Sequence, residues 1–134
     1  MERLRERIEI AKKALKSFEE SVLPQAPNQI ERDGAIQRFE YTVEAVWKAA
    51  QRYLQMIEGL NEGSPKGAIR RLREVGILNE NLASQALAMI DDRNLTVHTY
   101  NEALADQIYL RLRGYVSLMQ LWLSQMEKRL EPKR

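Results

Sequence analysis

From Leu4 to Val22 the apolar residues Leu4, Ile8, Ala11, Leu15, Phe18 and Val22 recur at spacings of four, three, four, three and four. That period follows the turn of an α-helix and puts these side chains on one stripe, which has to be buried against a partner. The pattern stops at Pro24 and Pro27, which cannot continue an interior hydrogen-bond ladder. Asn28 then offers an N-cap for a second helix. Nowhere does apolar–polar alternation run long enough for a strand, so the chain reads as all-helical.

The second helical segment extends to about Ile57, with Ile36, Phe39, Val43, Val46, Ala50, Tyr53 and Ile57 on its core stripe. At 1.5 Å per residue it is about 45 Å long and needs partners along its length, which implies a bundle. Glu40, Trp47 and Leu54, seven apart, form a narrower stripe beside the first, so this helix meets something on two faces. NEGSPK (61–66) breaks the pattern. Ser64 can cap a short helix with Pro65 in its first turn, carrying Ile69, Leu72 and Val75 and ending at Gly76. A fourth segment from Asn79 carries Leu82, Ala86, Met89 and Ile90, then loses definition through DDRNLTVHTYNE. The last helix, from Asn101 to the closing EPKR, is lined by Leu104, Ile108, Leu112, Tyr115, Met119, Trp122 and Met126. Trp47 and Trp122 read as packing residues. Arg32, Arg38, Tyr41 and Lys48 read as a solvated face of the second helix.

The 134 residues, 1–134, amount to a single domain large enough to bury a helical core unaided. The chain has no cysteine, which excludes disulfides, zinc–thiolate sites and thiol nucleophiles and fits the reducing cytoplasm. A start charged from its second residue lacks the apolar run of a secretory signal, and no stretch has the length of a membrane span. With 21 basic and 19 acidic residues, net charge makes no strong case for nucleic acid. There is no glycine-rich phosphate loop, HExxH, EF-hand spacing or GxSxG. The single histidine and scattered carboxylates argue against a metal site, and no cofactor is expected.

What remains is that histidine, His98, within RNLTVHTYNE (93–102) and preceded by Asp91 and Asp92. At about 100° per residue, Asp91, Asn94 and His98 share one helical face, while Arg93 and Tyr100 share another about 140° away from His98. A straight helix does not bring Arg93 and His98 together. A distorted helix, a reaching arginine side chain or two copies meeting across a symmetry axis would. With Asn94 or Asp91 orienting it, the imidazole can move a proton to or from a ribose 2′-hydroxyl, while Arg93 stabilises charge on the phosphate. Such a set suffices for metal-independent RNA cleavage. The plainer alternative is a helix-end histidine paired with Asp91.

RDGAIQRFEYTVEAVWKAAQRYL (32–54), SPKGAIRRLREVGIL (64–78) and above all MIDDRNLTVHTYNEALA (89–105) give the chain a resemblance to the HEPN superfamily. Within it, the chain is similar to the nucleotidyltransferase substrate-binding family, the HEPN half of HEPN–MNT toxin–antitoxin pairs. The superfamily signature of arginine, a polar residue and a later histidine is met by Arg93, Asn94 and His98, and Tyr100 stands where the toxin branch has a tyrosine. The resemblance implies an antiparallel, up-and-down four-helix bundle with an additional short helix, paired as a two-fold homodimer whose Arg/His segments face each other. It also implies a separately encoded minimal nucleotidyltransferase as partner. Two functions then stand open. One is a ribonuclease toxin with Arg93, His98 and Asn94 catalytic and Asp91 supporting, silenced by AMP transfer to Tyr100. The other is a non-catalytic substrate-binding subunit of a nucleotidyltransferase complex.

Overall fold

In the computed structural model, which describes residues 1–131, five α-helices follow one another: α1 Glu2–Ser21, α2 Gln29–Tyr53, α3 Pro65–Glu74, α4 Glu80–Leu95 and α5 Glu102–Leu130. Their ends sit where the sequence marks them. The Asn28 side chain accepts from the Glu31 N–H at 2.8 Å, and the Glu31 carboxylate accepts from the Asn28 N–H at 2.9 Å, a reciprocal capping box that starts α2. Ser64, Asn79 and Asn101 likewise accept from the backbone N–H three residues on, capping α3, α4 and α5. Beyond the end of α3, Gly76 adopts φ 82°, a left-handed conformation that lets the chain reverse towards α4. The final residues 132–134, assigned above to the end of the last helix, lie outside the described ones.

Contacts between the helices fix their directions. Thr42 of α2 donates to the Ala14 carbonyl of α1, and Lys12 of α1 pairs with Glu127 of α5 at 3.3 Å. At the other end of α1, Arg113 of α5 donates to the carbonyls of Val22 and Leu23 at 2.9 and 2.7 Å. A cation thus meets the free carbonyls at a helix C-terminus, where the helix dipole favours it. Asp92 near the end of α4 pairs with Arg111 of α5. Helices α1, α2, α4 and α5 therefore alternate in direction as an antiparallel up-and-down bundle, and α3 packs on α4 and α2 as the additional short helix.

The stripes become the core. Leu4, Ile8, Ala11, Leu15, Phe18 and Val22 are all buried, as are Ile36, Phe39, Val43, Val46, Ala50, Tyr53, Trp47 and Trp122. Each large apolar side chain removed from water contributes about 1.5–3 kcal/mol against the entropy of ordering it. Phe39 joins the helices: its ring lies 5.8 Å from Phe18 on α1 and stacks on Tyr115 of α5 at 5.4 Å. No helix among the described residues is long and apolar enough to cross a membrane.

Two expectations are corrected. Ile57 is 39% exposed rather than on the core stripe, because α2 widens into a π-helical turn, Leu54–Glu58, that breaks the α-helical phase. Leu60, folded back by an N–H bond to the Leu54 carbonyl at 2.9 Å, packs against the core instead. Arg32 is not solvated. It is 5% exposed and donates to Asp33, Glu102 and Asp106, each at 3.0 Å, tying the first turn of α2 to that of α5. A long aliphatic stem can be buried while its charge is paired, which helical periodicity alone does not distinguish from solvation.

Candidate functional site

The run 93–102 forms the corner between α4 and α5. Helix α4 stops at Leu95, where the hydroxyls of Thr96 and Thr99, just beyond its end, compete for backbone acceptors. Thr96, itself buried, donates its Oγ1 hydrogen to the Arg93 carbonyl at 2.7 Å, and Thr99 donates to the Thr96 carbonyl at 2.9 Å. The chain tightens into a 3₁₀ turn, Thr96–His98, and the Asn101 N–H donates to the His98 carbonyl at 3.0 Å before Asn101 caps α5. His98 is therefore held on a short, hydrogen-bonded bend between two capped helices rather than on a continuation of α4.

His98 is exposed, and its Nδ1 lies 3.3 Å from the Tyr100 hydroxyl. The two rings meet edge to face with centroids 5.8 Å apart. Tyr100 is 81% exposed, so its hydroxyl is open to reagents. Asn94 is also exposed. Arg93 points the other way, towards α2, where its guanidinium lies 3.8 Å from the Glu40 carboxylate and both side chains are about one-third exposed. Among the described residues no hydrogen bond or ion pair joins Arg93 to His98. Asp91 does not reach the imidazole; it is paired with Lys66 of α3 at 2.6 Å, so neither the supporting role nor the plain Asp91–His98 pair has a contact behind it.

Asp92 is the residue whose importance the sequence did not display. It is 7% exposed, takes two hydrogen bonds from Arg111 at 2.7 and 2.9 Å and accepts a third from the Tyr115 hydroxyl. Burial and then the Asp92 carboxylate push the Tyr115 phenol well above the ordinary tyrosine range, keeping it a donor. The Arg111 guanidinium is likewise held protonated by Asp92. This cluster locks the last turn of α4, and so the backbone of Arg93, onto α5. Glu40 was legible only as part of the second stripe on α2, and Arg93 is the charge that it meets.

No group of three or more His, Cys, Asp or Glu capable of holding a metal occurs among the described residues. What the corner offers is an exposed imidazole against a phenol, an exposed amide and a loosely paired guanidinium one helical turn before them.

The chain is 28% identical over 100 residues to a probable ribonuclease HepT of Haemophilus influenzae, a match that spans 72% of this chain and 67% of that protein. A protein of Thermus thermophilus known from its crystal structure is 54% identical, with a TM-score of 0.84 over 87% of this chain and 98% of its own. The same fold, at 16% identity and a TM-score of 0.77, covers 93% of this chain and 96% of a tri-AMPylated Shewanella oneidensis HEPN toxin solved in complex with its MNT antitoxin. Residues 6–128 match the family described as nucleotidyltransferase substrate binding protein like, and the chain belongs to that family.

Proposed function

We propose that this chain is the HEPN toxin of a two-component module, a metal-independent endoribonuclease whose activity a minimal nucleotidyltransferase silences by transferring AMP to Tyr100. The observation that carries the reading is the His98–Tyr100 contact, 3.3 Å between Nδ1 and a hydroxyl that is open to solvent. One exposed group suits proton transfer, and its neighbour suits modification.

In cleavage, an imidazole takes the proton of a ribose 2′-hydroxyl as that oxygen bonds to the adjacent phosphorus. The bond from phosphorus to the 5′-oxygen breaks, and the departing oxygen is protonated. Arg93 stabilises the charge that builds on the phosphate, with Asn94 as a further polar contact. Its ion pair with Glu40 is long and part-exposed, of the kind worth about 0–1 kcal/mol, so a phosphate can displace it at little cost. Two proton transfers, one from the 2′-hydroxyl and one to the 5′-oxygen, with one histidine per chain favour a homodimer in which a second His98 faces the first. Exposed Leu95 and Val97 beside the site, with Leu110 and Leu121 on the outer face of α5, supply apolar surface for such pairing. The whole chain then acts as one domain in the cytoplasm.

In silencing, the Tyr100 oxygen attacks the α-phosphorus of ATP, pyrophosphate leaves and the phenol proton is lost. The new phosphate sits beside His98, and the adenosine obstructs the approach of RNA.

Cleavage of single-stranded RNA in EDTA tests the reading. His98→Ala and Arg93→Ala should each lower the rate by about 10²–10⁴, with unchanged helical signal because both side chains lie at the surface. Equal cleavage by wild type and both variants would identify a contaminating nuclease and leave the non-catalytic binding subunit standing.

A further inference from the structure

Helix α3 contributes no residue of the Arg93–Tyr100 corner, yet its net charge exceeds that of the whole chain. Pro65–Glu74 carries Lys66, Arg70, Arg71 and Arg73 against Glu74 alone, a net +3 in a chain whose total is +2, so everything outside these ten residues sums to −1. Arg71 is satisfied by Glu62 at 3.3 Å and Glu74 at 3.1 Å. Arg70 and Arg73 are exposed and have no carboxylate within 4.0 Å among the described residues. Lys66, Arg70 and Arg73 follow one another at spacings of four and three, which places them on one face of the helix.

That face is fixed relative to the signature residues. Lys66 bridges to Asp91 at 2.6 Å, two positions before Arg93 on α4, and α3 and α4 form a helical hairpin. The face therefore runs back along the bundle from the Arg93/His98 corner. By helical rise, Arg70 and Arg73 lie roughly 15–20 Å from His98 along the axis, a few nucleotides of extended strand. Two unpaired guanidinium groups in line, at that remove, suit successive phosphates of a single strand, for which arginine is the better-matched cation.

We propose that the Arg70–Arg73 face of α3 is a phosphate-binding track that holds the single-stranded RNA flanking the scissile bond. The proposal rests on the ribonuclease reading and adds to it a length requirement. RNA long enough to reach from the corner to α3 is held more tightly than RNA that fills the corner alone.

The test is fluorescence anisotropy of a labelled 12-nucleotide single-stranded RNA and of a trinucleotide, on full-length His98→Ala protein, which binds without cutting. Adding Arg70→Gln and Arg73→Gln should weaken the 12-mer about tenfold, leave the trinucleotide unchanged and reduce the salt slope by about 1.4, two phosphate contacts' worth. Lys13→Gln with Lys16→Gln, an equal charge loss on exposed α1, should change neither. Undiminished 12-mer binding in the α3 variant, or an equal loss in the α1 control, overturns the track. The ribonuclease reading survives that result if Arg93→Ala and His98→Ala still abolish cutting. Intact RNA binding together with lost capture of the purified nucleotidyltransferase shows the face to be a protein dock and also overturns it. If wild type does not cut RNA and His98→Ala protein does not bind it, the ribonuclease reading falls and the track with it.

Discussion

Replacing Asp92 with alanine isolates the cluster that anchors the signature to the bundle. The carboxylate accepts three hydrogen bonds, two from Arg111 and one from Tyr115, while itself 7% exposed. Losing Arg111 as a donor costs little for the arginine, because its side chain is 45% exposed and water can replace the carboxylate, so this part is about 1 kcal/mol. The Tyr115 hydroxyl is in a part-buried position and loses its acceptor, at about 1–3 kcal/mol. Against these stands relief from burying a carboxylate, together with alanine's better helix propensity of about 0.5 kcal/mol. The balance is a destabilisation of about 2 kcal/mol, below the 3–5 kcal/mol of a fully buried broken pair because one partner can rehydrate. For a chain of 134 residues that lowers the melting temperature by roughly 6–8 °C. Urea unfolding followed by circular dichroism measures it as a shifted midpoint with an unchanged slope. Arg111→Ala alone and the Asp92/Arg111 double variant complete a cycle whose coupling should be about 1 kcal/mol. A loss under about 0.5 kcal/mol for Asp92→Ala, or no coupling to Arg111, would refute the claim that this cluster holds α4 to α5.

Other outcomes follow from the same geometry. Incubation with the partner nucleotidyltransferase, ATP and Mg²⁺ should add about 329 Da per AMP, and Tyr100→Phe should abolish the first addition while leaving cleavage largely intact; modification confined to Tyr41 or Tyr109 would misplace the switch. Light scattering at micromolar concentration should give twice the 15.6 kDa chain mass, whereas a clean monomer would remove the shared cleft. Burial, and then a 2.9 Å bond to Glu58, pushes Tyr53 up to about 12. A phenol whose folded value exceeds its unfolded one contributes stability that is complete below about pH 10 and disappears as the pH rises towards about 12. Urea midpoints should fall through that window, and Tyr53→Phe should make the fall shallower; an identical slope would show that Tyr53 contributes nothing to it.

Much of this molecule is written locally. The 4–3 stripe of α1 is buried residue for residue because helical period is a property of the backbone, and whatever partner the helix finds must cover that one face. The caps at Asn28, Ser64, Asn79 and Asn101 and the turn at Gly76 are similarly legible, since each satisfies groups within three or four residues of itself. The polar interruption at 93–102 and the residue types Arg93, Asn94, His98 and Tyr100 were visible for the same reason. Tertiary structure alone decided which charges meet. Asp91 and Asp92 are neighbours of one chemistry, yet one bonds Lys66 on α3 and the other Arg111 and Tyr115 on α5, because a helix turns adjacent side chains about 100° apart into different neighbours. Arg32 and Arg70 look alike in sequence; one is buried among Asp33, Glu102 and Asp106, and the other lies in solvent on α3. Local periodicity assigns a face to each residue, but the direction in which the helices pack assigns each charge its partner, and that depends on residues as far as 115 positions away.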